Sequence, residues 1–249
     1  MALYQYVKAS PPKKRIRKPV VISYLLMVLG TTILVWALWP IVSFSVITAP
    51  LLSSIISPVS ENGTIDKRGG ILSPLVLAAG TGQVEESAGV DFTNANVWFP
   101  TLPQKKVVTP VNTYTLSIPK LKISTAMVII AGDDLSKSLV HYGGTGLPGE
   151  YGTSVIFGHS VLPQFYKPTN YKTIFSTLPT LTVGDDIYIT YDGVQYKYKV
   201  FESVVTDPND LSPLAQHFDD SYITLITCVP PGTYWKRLNV HARLVRLTT

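Results

Sequence analysis

Cys228 is the only cysteine in a chain of 249 residues. The stretch around it, Ser221 to Arg237, reads SYITLITCVPPGTYWKR. A thiol becomes a nucleophile when ionised, and it then needs a proton donor for the leaving group. The histidines at 141, 159, 217 and 241 are the candidate donors. His159 follows Val155-Ile156-Phe157-Gly158, so it sits where an apolar run gives way to a loop, as Cys228 does. His141 is expected in a glycine-rich loop, and His217 lies in the polar segment from Asp207 to Asp220. His241 shares a strand face with Arg237 but stands four residues on, roughly 13 Å at strand rise. Arg237 follows the cysteine loop, where a fixed guanidinium can stabilise an oxyanion as a carbonyl is attacked. Its rival, Arg243, is about 20 Å further along the same strand. Each residue also has an ordinary reading: a buried structural thiol, a surface histidine, a solvated cation.

These groups must be held by strands. Ile223 to Thr227 is an apolar and β-branched run, the composition of a buried strand. Val229-Pro230-Pro231-Gly232 stops it, because proline lacks the ladder donor and glycine permits a turn. Arg237 to Leu244 then alternates polar and apolar, with Leu238, Val240, Ala242 and Leu244 on the core side. Strand signals recur upstream at Thr113–Ile118, Ala126–Ile130, Thr153–Phe157, Asp186–Tyr191 and Tyr196–Val205. Asp192-Gly193 between the last two is a strong hairpin signal. A short helix is expected around Asn170 to Phe175. Seven or more strands in about 140 residues predict a mainly β barrel or sandwich.

The chain is 46% hydrophobic and 15% charged, with a formal net charge of +5, and both features are uneven. Lys8, Lys13, Lys14, Arg15, Arg17 and Lys18 precede an uncharged run from Pro19 to Ser60. The basic cluster is short and lacks interleaved aromatics, which argues against nucleic-acid binding. It fits the positive-inside rule. Val20 to Trp39 is long enough to span a membrane, with Trp36 and Trp39 near its outer end. A cleaved signal peptide would carry a shorter apolar core of about 7–15 residues. Residues 1–18 are therefore expected as a cytoplasmic basic tail, 19–49 as a single transmembrane anchor and its exit, 50–110 as an extracytoplasmic stalk, and 111–249 as the folded domain. Val97-Trp98-Phe99-Pro100 stands out from the stalk as an aromatic pair expected to dock on the domain, with contact at the membrane interface as the alternative. In an oxidising compartment a lone cysteine is either buried and structural or reactive.

At this point the residues resemble a known family. Thr224-Leu225-Ile226-Thr227-Cys228, followed by Arg237-Leu238 and Val240, is similar to the sortase signature of a TLxTC strand and an arginine opening the last strand. Tyr142 to Ser160, ending in Phe157-Gly158-His159-Ser160, resembles the segment leading to the sortase histidine. Leu116-Ser117-Ile118-Pro119-Lys120-Leu121 and Leu181 to Ile187 also fit, in the right order, over about 113–247.

The resemblance implies a closed eight-stranded β-barrel with short helices. It implies Cys228 as nucleophile, His159 as general acid/base and Arg237 as the oxyanion or substrate-positioning group. It implies cleavage of an LPxTG-like motif in secreted proteins bearing a C-terminal sorting signal, through a thioacyl intermediate. An amine from a cell-wall precursor or a pilin then resolves that intermediate. The loop from Val229 to Lys236 becomes one wall of the substrate site, with Thr227, Tyr234 and Trp235 as candidate substrate contacts. No cofactor or metal is expected. Some sortases bind calcium through acidic residues in the segment that here holds Asp207, Asp210, Asp219 and Asp220, but a solvated loop is the preferred reading. No apolar segment closes the sequence, so the two-anchor, pilin-polymerising form is not expected. A hydrolase that trims surface proteins, or a non-catalytic display barrel, are the alternatives.

Overall fold

The computed structural model describes residues 18–52, 91–99, 102, 104–105 and 109–246. The expected basic tail and most of the expected stalk lie outside them. Near the N-terminus, helix α1 (Lys18–Ser43) runs into a π-helical turn (Phe44–Thr48) and a short helix α2 (Ala49–Leu52). Val21–Thr48, 28 residues, is long and apolar enough to cross a membrane. The helix therefore extends beyond the Trp39 expected as its end. Pro40 lies inside α1 without ending it. The uncharged residues after Pro40 continue the apolar surface, and proline removes one backbone donor rather than the whole ladder.

Eight strands follow: β1 (Thr113–Ile118), β2 (Ile123–Ile130), β3 (Leu139–His141), β4 (Gly152–Phe157), β5 (Asp186–Tyr191), β6 (Val194–Thr206), β7 (Ser221–Val229) and β8 (Lys236–Leu244). They close into a barrel in the order β1-β2-β3-β4-β7-β8-β6-β5. The pairs β2–β3 and β4–β7 are parallel, and the other pairs are antiparallel. The expectation of seven or more strands missed β3, which has three residues and is too short to show a period. The β5–β6 turn forms as expected: Asp192 and Gly193 both have positive φ, 48° and 75°, the primed geometry that matches strand twist.

Alternate residues build the barrel interior, among them Leu116, Ile118, Ile187, Ile189, Tyr198, Leu225 and Val240, each fully buried. A second apolar cluster covers the other face of β4 and β7. It joins Val155, Phe157, Ile226 and Cys228 to Leu214 and to Ala95, Trp98 and Phe99 from the segment before the barrel. β4 and β7 are thus apolar on both faces, which is why they read as continuous runs.

The helix expected at Asn170 to Phe175 is instead a succession of turns, followed by a 3₁₀ turn at Leu178–Thr180. Thr173 and Ser176 make i→i+3 bonds, but the Phe175 N–H donates to the His159 carbonyl at 3.0 Å. That donor is spent on positioning the histidine loop, and no α-helical ladder forms.

Candidate active site

Strand register sets the site. Cys228 lies directly opposite Arg237 in the antiparallel β7–β8 pair. Phe157 lies opposite Ile226 in the parallel β4–β7 pair. Extending that register by two residues puts His159 beside Cys228. Side chains alternate along a strand, so all three project from the same face, outside the barrel. Residues 69 apart in sequence are brought into one row by backbone pairing alone.

The row is pinned from behind. Gly158 donates its N–H to the Ile226 carbonyl at 3.1 Å, and Thr227 Oγ1 donates to the Gly158 carbonyl at 2.8 Å. Ser160 Oγ donates to the Cys228 carbonyl at 2.6 Å. A Cβ on Gly158 would stand 2.4 Å from Phe175 Cδ2 and 2.7 Å from Leu139 Cδ2, so the loop after β4 can turn here only with glycine.

Arg237 is 2% exposed. Its Nη1 donates to the Tyr234 carbonyl at 3.2 Å and lies 3.4 Å from Cys228 Sγ. Its Nε has no partner, and among the described residues no carboxylate pairs with it. A buried cation is usually paired, since desolvation alone is costly. Here the guanidinium contacts the Trp98 ring instead, 5.0 Å from its centroid. Such a cation is set to receive negative charge that develops at the thiol or on an attacked carbonyl oxygen.

Burial pushes the Cys228 thiol up to about 11, and the nearby Arg237 charge only partly offsets this. Burial also lowers the His159 pKa below its ordinary value, with Asp91 opposing weakly. In the resting site the thiol and the imidazole are therefore both neutral. His159 Nε2 is buried without a hydrogen-bond partner, and the ring meets Trp98 edge-on at 6.0 Å.

The segment 91–99 covers this row. Ala95 donates its N–H to the Asp133 carbonyl at 2.8 Å, and Leu135 donates to the Thr93 carbonyl at 2.8 Å. Trp98 stacks on Phe157 at 5.4 Å and is 1% exposed. Cys228 is also 1% exposed. The sequence marked Trp98 and Phe99 as a pair that docks, and they do dock on the domain. Nothing in the sequence said that Trp98 would lie over Arg237 and His159.

The other candidates fall in different places. Thr227 is fully buried, and alternation turns it away from the face that carries Cys228, so its hydroxyl braces the two strand ends. Tyr234 stacks on Phe92 at 4.0 Å, linking the β7–β8 loop to the covering segment. Trp235 is 63% exposed beside them. His141 is buried between the hydroxyls of Tyr114 and Thr145, at 2.8 and 3.1 Å. His241 meets the Thr224 hydroxyl at 2.9 Å. Arg243 pairs with Asp220 at 2.5 Å, not with the thiol.

The acidic residues of the β6–β7 segment each have a separate partner. Asp207 pairs with Lys236 at 2.6 Å, Asp210 accepts the Ser212 N–H at 2.9 Å, and Asp219 accepts the Tyr222 hydroxyl at 2.8 Å. Asp220 takes both Arg243 and Arg246. Among the described residues, no three His, Cys, Asp or Glu side chains converge as metal ligands.

The chain is similar to known proteins. Sortase D of Bacillus subtilis (strain 168) is 27% identical over 118 residues, 46% of this chain and 53% of the relative. The match thus spans about half the length of that curated relative. Among solved structures, a Clostridium perfringens sortase D5 transpeptidase is 28% identical, covering 57% of this chain and 83% of that one, with a TM-score of 0.47. A lid mutant of sortase A from Corynebacterium diphtheriae is 32% identical, covering 57% and 74%, with a TM-score of 0.48. Sortase C-1 from Actinomyces oris is 27% identical, covering 60% and 87%, with a TM-score of 0.49. The sortase domain family matches residues 116–245, just over half of the 249. That span holds β2 to β8 and the whole Cys228, His159 and Arg237 row, and the chain belongs to the sortase family.

Proposed function

We propose that this chain is a membrane-anchored cysteine transpeptidase. It cleaves an LPxTG-like sorting motif in secreted proteins and joins them to a cell-surface amine. The observation that carries this reading is the buried Arg237 guanidinium, 3.4 Å from Cys228 Sγ and without a carboxylate partner.

In the proposed reaction, substrate binding displaces the covering segment, and the thiol proton passes to His159. The thiolate attacks the scissile carbonyl while Arg237 stabilises the oxyanion. The C–S bond forms, the C–N bond breaks, and His159 returns its proton to the departing amine. A neutral acceptor amine then attacks the thioacyl carbon and gives its proton to His159. The thiolate leaves and is reprotonated. Cys228, His159 and Arg237 act as nucleophile, acid/base and oxyanion group, and no metal or cofactor takes part in these steps. Tyr234 and Trp235, exposed in the loop after Cys228, contact substrate in this reading. The apolar helix Val21–Thr48 serves as the anchor, with Lys8 to Lys18 on the cytoplasmic side.

The test is to incubate the protein with LPxTG-like peptides and a panel of amines, and to read the products by mass. A joined product is expected. Cleaved acid alone, at every amine concentration, would make the protein a hydrolase. No turnover of any peptide would favour a non-catalytic barrel.

A further inference from the structure

The proposed reaction gives the two sides of the row different tasks. Arg237 faces the acyl oxygen, whereas His159 handles both amines, protonating the one that leaves and deprotonating the one that attacks. The amine-bearing chain therefore lies on the His159 side. There the loop after β4 runs beside the cysteine loop: a Cβ on Gly232 would stand 3.1 Å from Leu162 Cγ. Further along the same loop, Gln164 Nε2 is buried with no hydrogen-bond partner. A buried donor left unpaired is a place for a ligand oxygen.

The same side is cationic. Neither Thr113 to Gly132 nor Tyr151 to Gly184 contains an aspartate or a glutamate, and hydrogen bonds gather the lysines of these two stretches. Tyr166 Oη donates to the Leu121 carbonyl, which brings the chain at Lys167 toward Lys122. Thr173 Oγ1 accepts the Lys167 N–H and donates to the Lys167 carbonyl, both at 3.0 Å, which brings Lys172 to Lys167. Lys172 is one turn from Phe175, whose N–H donates to the His159 carbonyl at 3.0 Å. Lys120 is neutralised by Asp185 at 2.7 Å. Lys122, Lys167 and Lys172 are exposed, and among the described residues no carboxylate pairs with them. Burial is the main cause that lowers the His159 pKa, and the Lys172 charge adds to it, so the patch acts on the catalytic row. Asp91 and Asp134 oppose it. Asp91 lies on the covering segment, which substrate displaces, and Asp134 is paired with Lys137 at 2.8 Å. The uncompensated charge on the His159 side is therefore positive.

We propose that the loop after β4 is a subsite for an acceptor whose chain carries carboxylates: Lys172 and Lys167 pair with a carboxylate about two residues beyond the attacking amine, and Gln164 Nε2 donates to a carbonyl of the same chain. The spacing supports it. A turn such as that from Lys172 to Phe175 spans less than about 7 Å. An extended acceptor rises about 3.3 Å per residue, so its third residue comes level with Lys172. The chemistry supports it as well. Attack needs a neutral amine, and a cationic surround disfavours the ammonium form. A carboxylate further along the chain supplies the attraction that such an amine lacks. The subsite rests on the transfer reading above, since only a transferase needs a second chain beside the first.

The probes are Gly-Gly-Glu-amide, Gly-Gly-Gln-amide and Gly-Gly-Lys-amide. Each is titrated against the full chain in detergent micelles by calorimetry, and each then serves as acceptor in a donor-peptide reaction. The glutamate peptide is expected to bind more tightly, and to show a lower acceptor KM, by about two- to five-fold over the glutamine peptide. The double variant Lys167→Glu with Lys172→Glu should reverse that preference toward the lysine peptide, which also shows that the variant is folded. Gln164→Leu should raise the KM of all three by about two- to ten-fold with the glutamate preference retained, and an unchanged KM would overturn the role of Gln164. Equal affinities for the three peptides, or a glutamate preference that survives the double variant, would overturn the subsite. Sodium polyphosphate tests for a general polyanion site: if it binds through these lysines while the peptides bind alike, the acceptor role is overturned. Absent selectivity with a joined product counts against the subsite alone. Selective binding with no joined product from any amine counts against the transfer reading and the acceptor role together.

Discussion

Trp98 is the residue on which thiol access depends, and its replacement has a calculable effect. It stacks on Phe157, meets His159 and covers Arg237, all with 1% of its surface exposed. Truncating a buried tryptophan to alanine removes about 3–5 kcal/mol of packing. In Trp98→Ala that loss falls on the docking of segment 91–99, because the barrel interior is a separate cluster. The backbone bonds of Ala95 and Leu135 remain, so the segment stays tethered. At 1.36 kcal/mol per decade, the population with the segment lifted rises by about two to four orders of magnitude. Exposure also relieves the desolvation that holds Cys228 near 11 against an ordinary value near 9, which returns up to another factor of about 100 in thiolate. The assay is the rate of iodoacetamide capture at neutral pH, read by mass on the intact protein. We expect at least a ~100-fold rise, saturating once the segment is fully lifted. An unchanged rate, with far-UV circular dichroism showing an intact barrel, would refute the idea that Trp98 closes the site.

Cys228→Ala should abolish turnover while the melting temperature stays within a few degrees, checked by peptide cleavage and calorimetry. Arg237→Ala is expected to lower kcat by about 10²–10³, the scale of losing one oxyanion donor, with a smaller change in KM; steady-state kinetics would show it, and a larger loss from Arg243→Ala would move the role to that residue. Burial opposes ionisation of Asp220, but the Ser221 N–H, Arg243 and Arg246 outweigh it and hold its pKa below the ordinary carboxylate range. Its contribution to stability is therefore present above the unfolded pKa near 4 and is lost as pH falls through the lower folded value, so Asp220→Asn should flatten the acid end of the stability curve. Burial holds His141 and His241 near 4, below their ordinary value of about 6.5. Between pH 6.5 and 4 the unfolded chain binds more protons than the folded one, so the melting temperature should fall across that window, and less steeply in His141→Gln.

Much of this was legible from composition and spacing. Alternation placed Leu238, Val240 and Ala242 on the core side of β8, and the apolar run before Cys228 read as a buried strand. The Asp192-Gly193 turn was visible because few residue pairs accept two positive φ values. The cysteine, histidine and arginine were each found at a strand end. Three features were not legible, for physical reasons. β3 is too short to carry a period. The turns around Thr173 have helix-like composition, but the Phe175 N–H is diverted to a carbonyl that only the folded chain brings near. The placement of Trp98 over Arg237 is a long-range contact between the segment before the barrel and its last strand, and such pairings leave no mark in local sequence. Thr227, expected as a substrate contact, is fully buried and braces two strand ends, because a residue next to the cysteine in sequence lies on the opposite face of the strand.

The alignment of His159 with Cys228 by β4–β7 register has a kinetic consequence. A slip of one residue in that parallel pair would turn the thiol toward the barrel interior and leave the imidazole outside. Parallel pairing across such a long intervening segment is slow to form, because chain closure must precede its stabilisation. A partly folded chain therefore carries a cysteine and a histidine with no common face. On the reaction proposed above, the Cys228–His159 pair would be assembled only when the barrel closes, so the chain would be inactive until its sheet is complete.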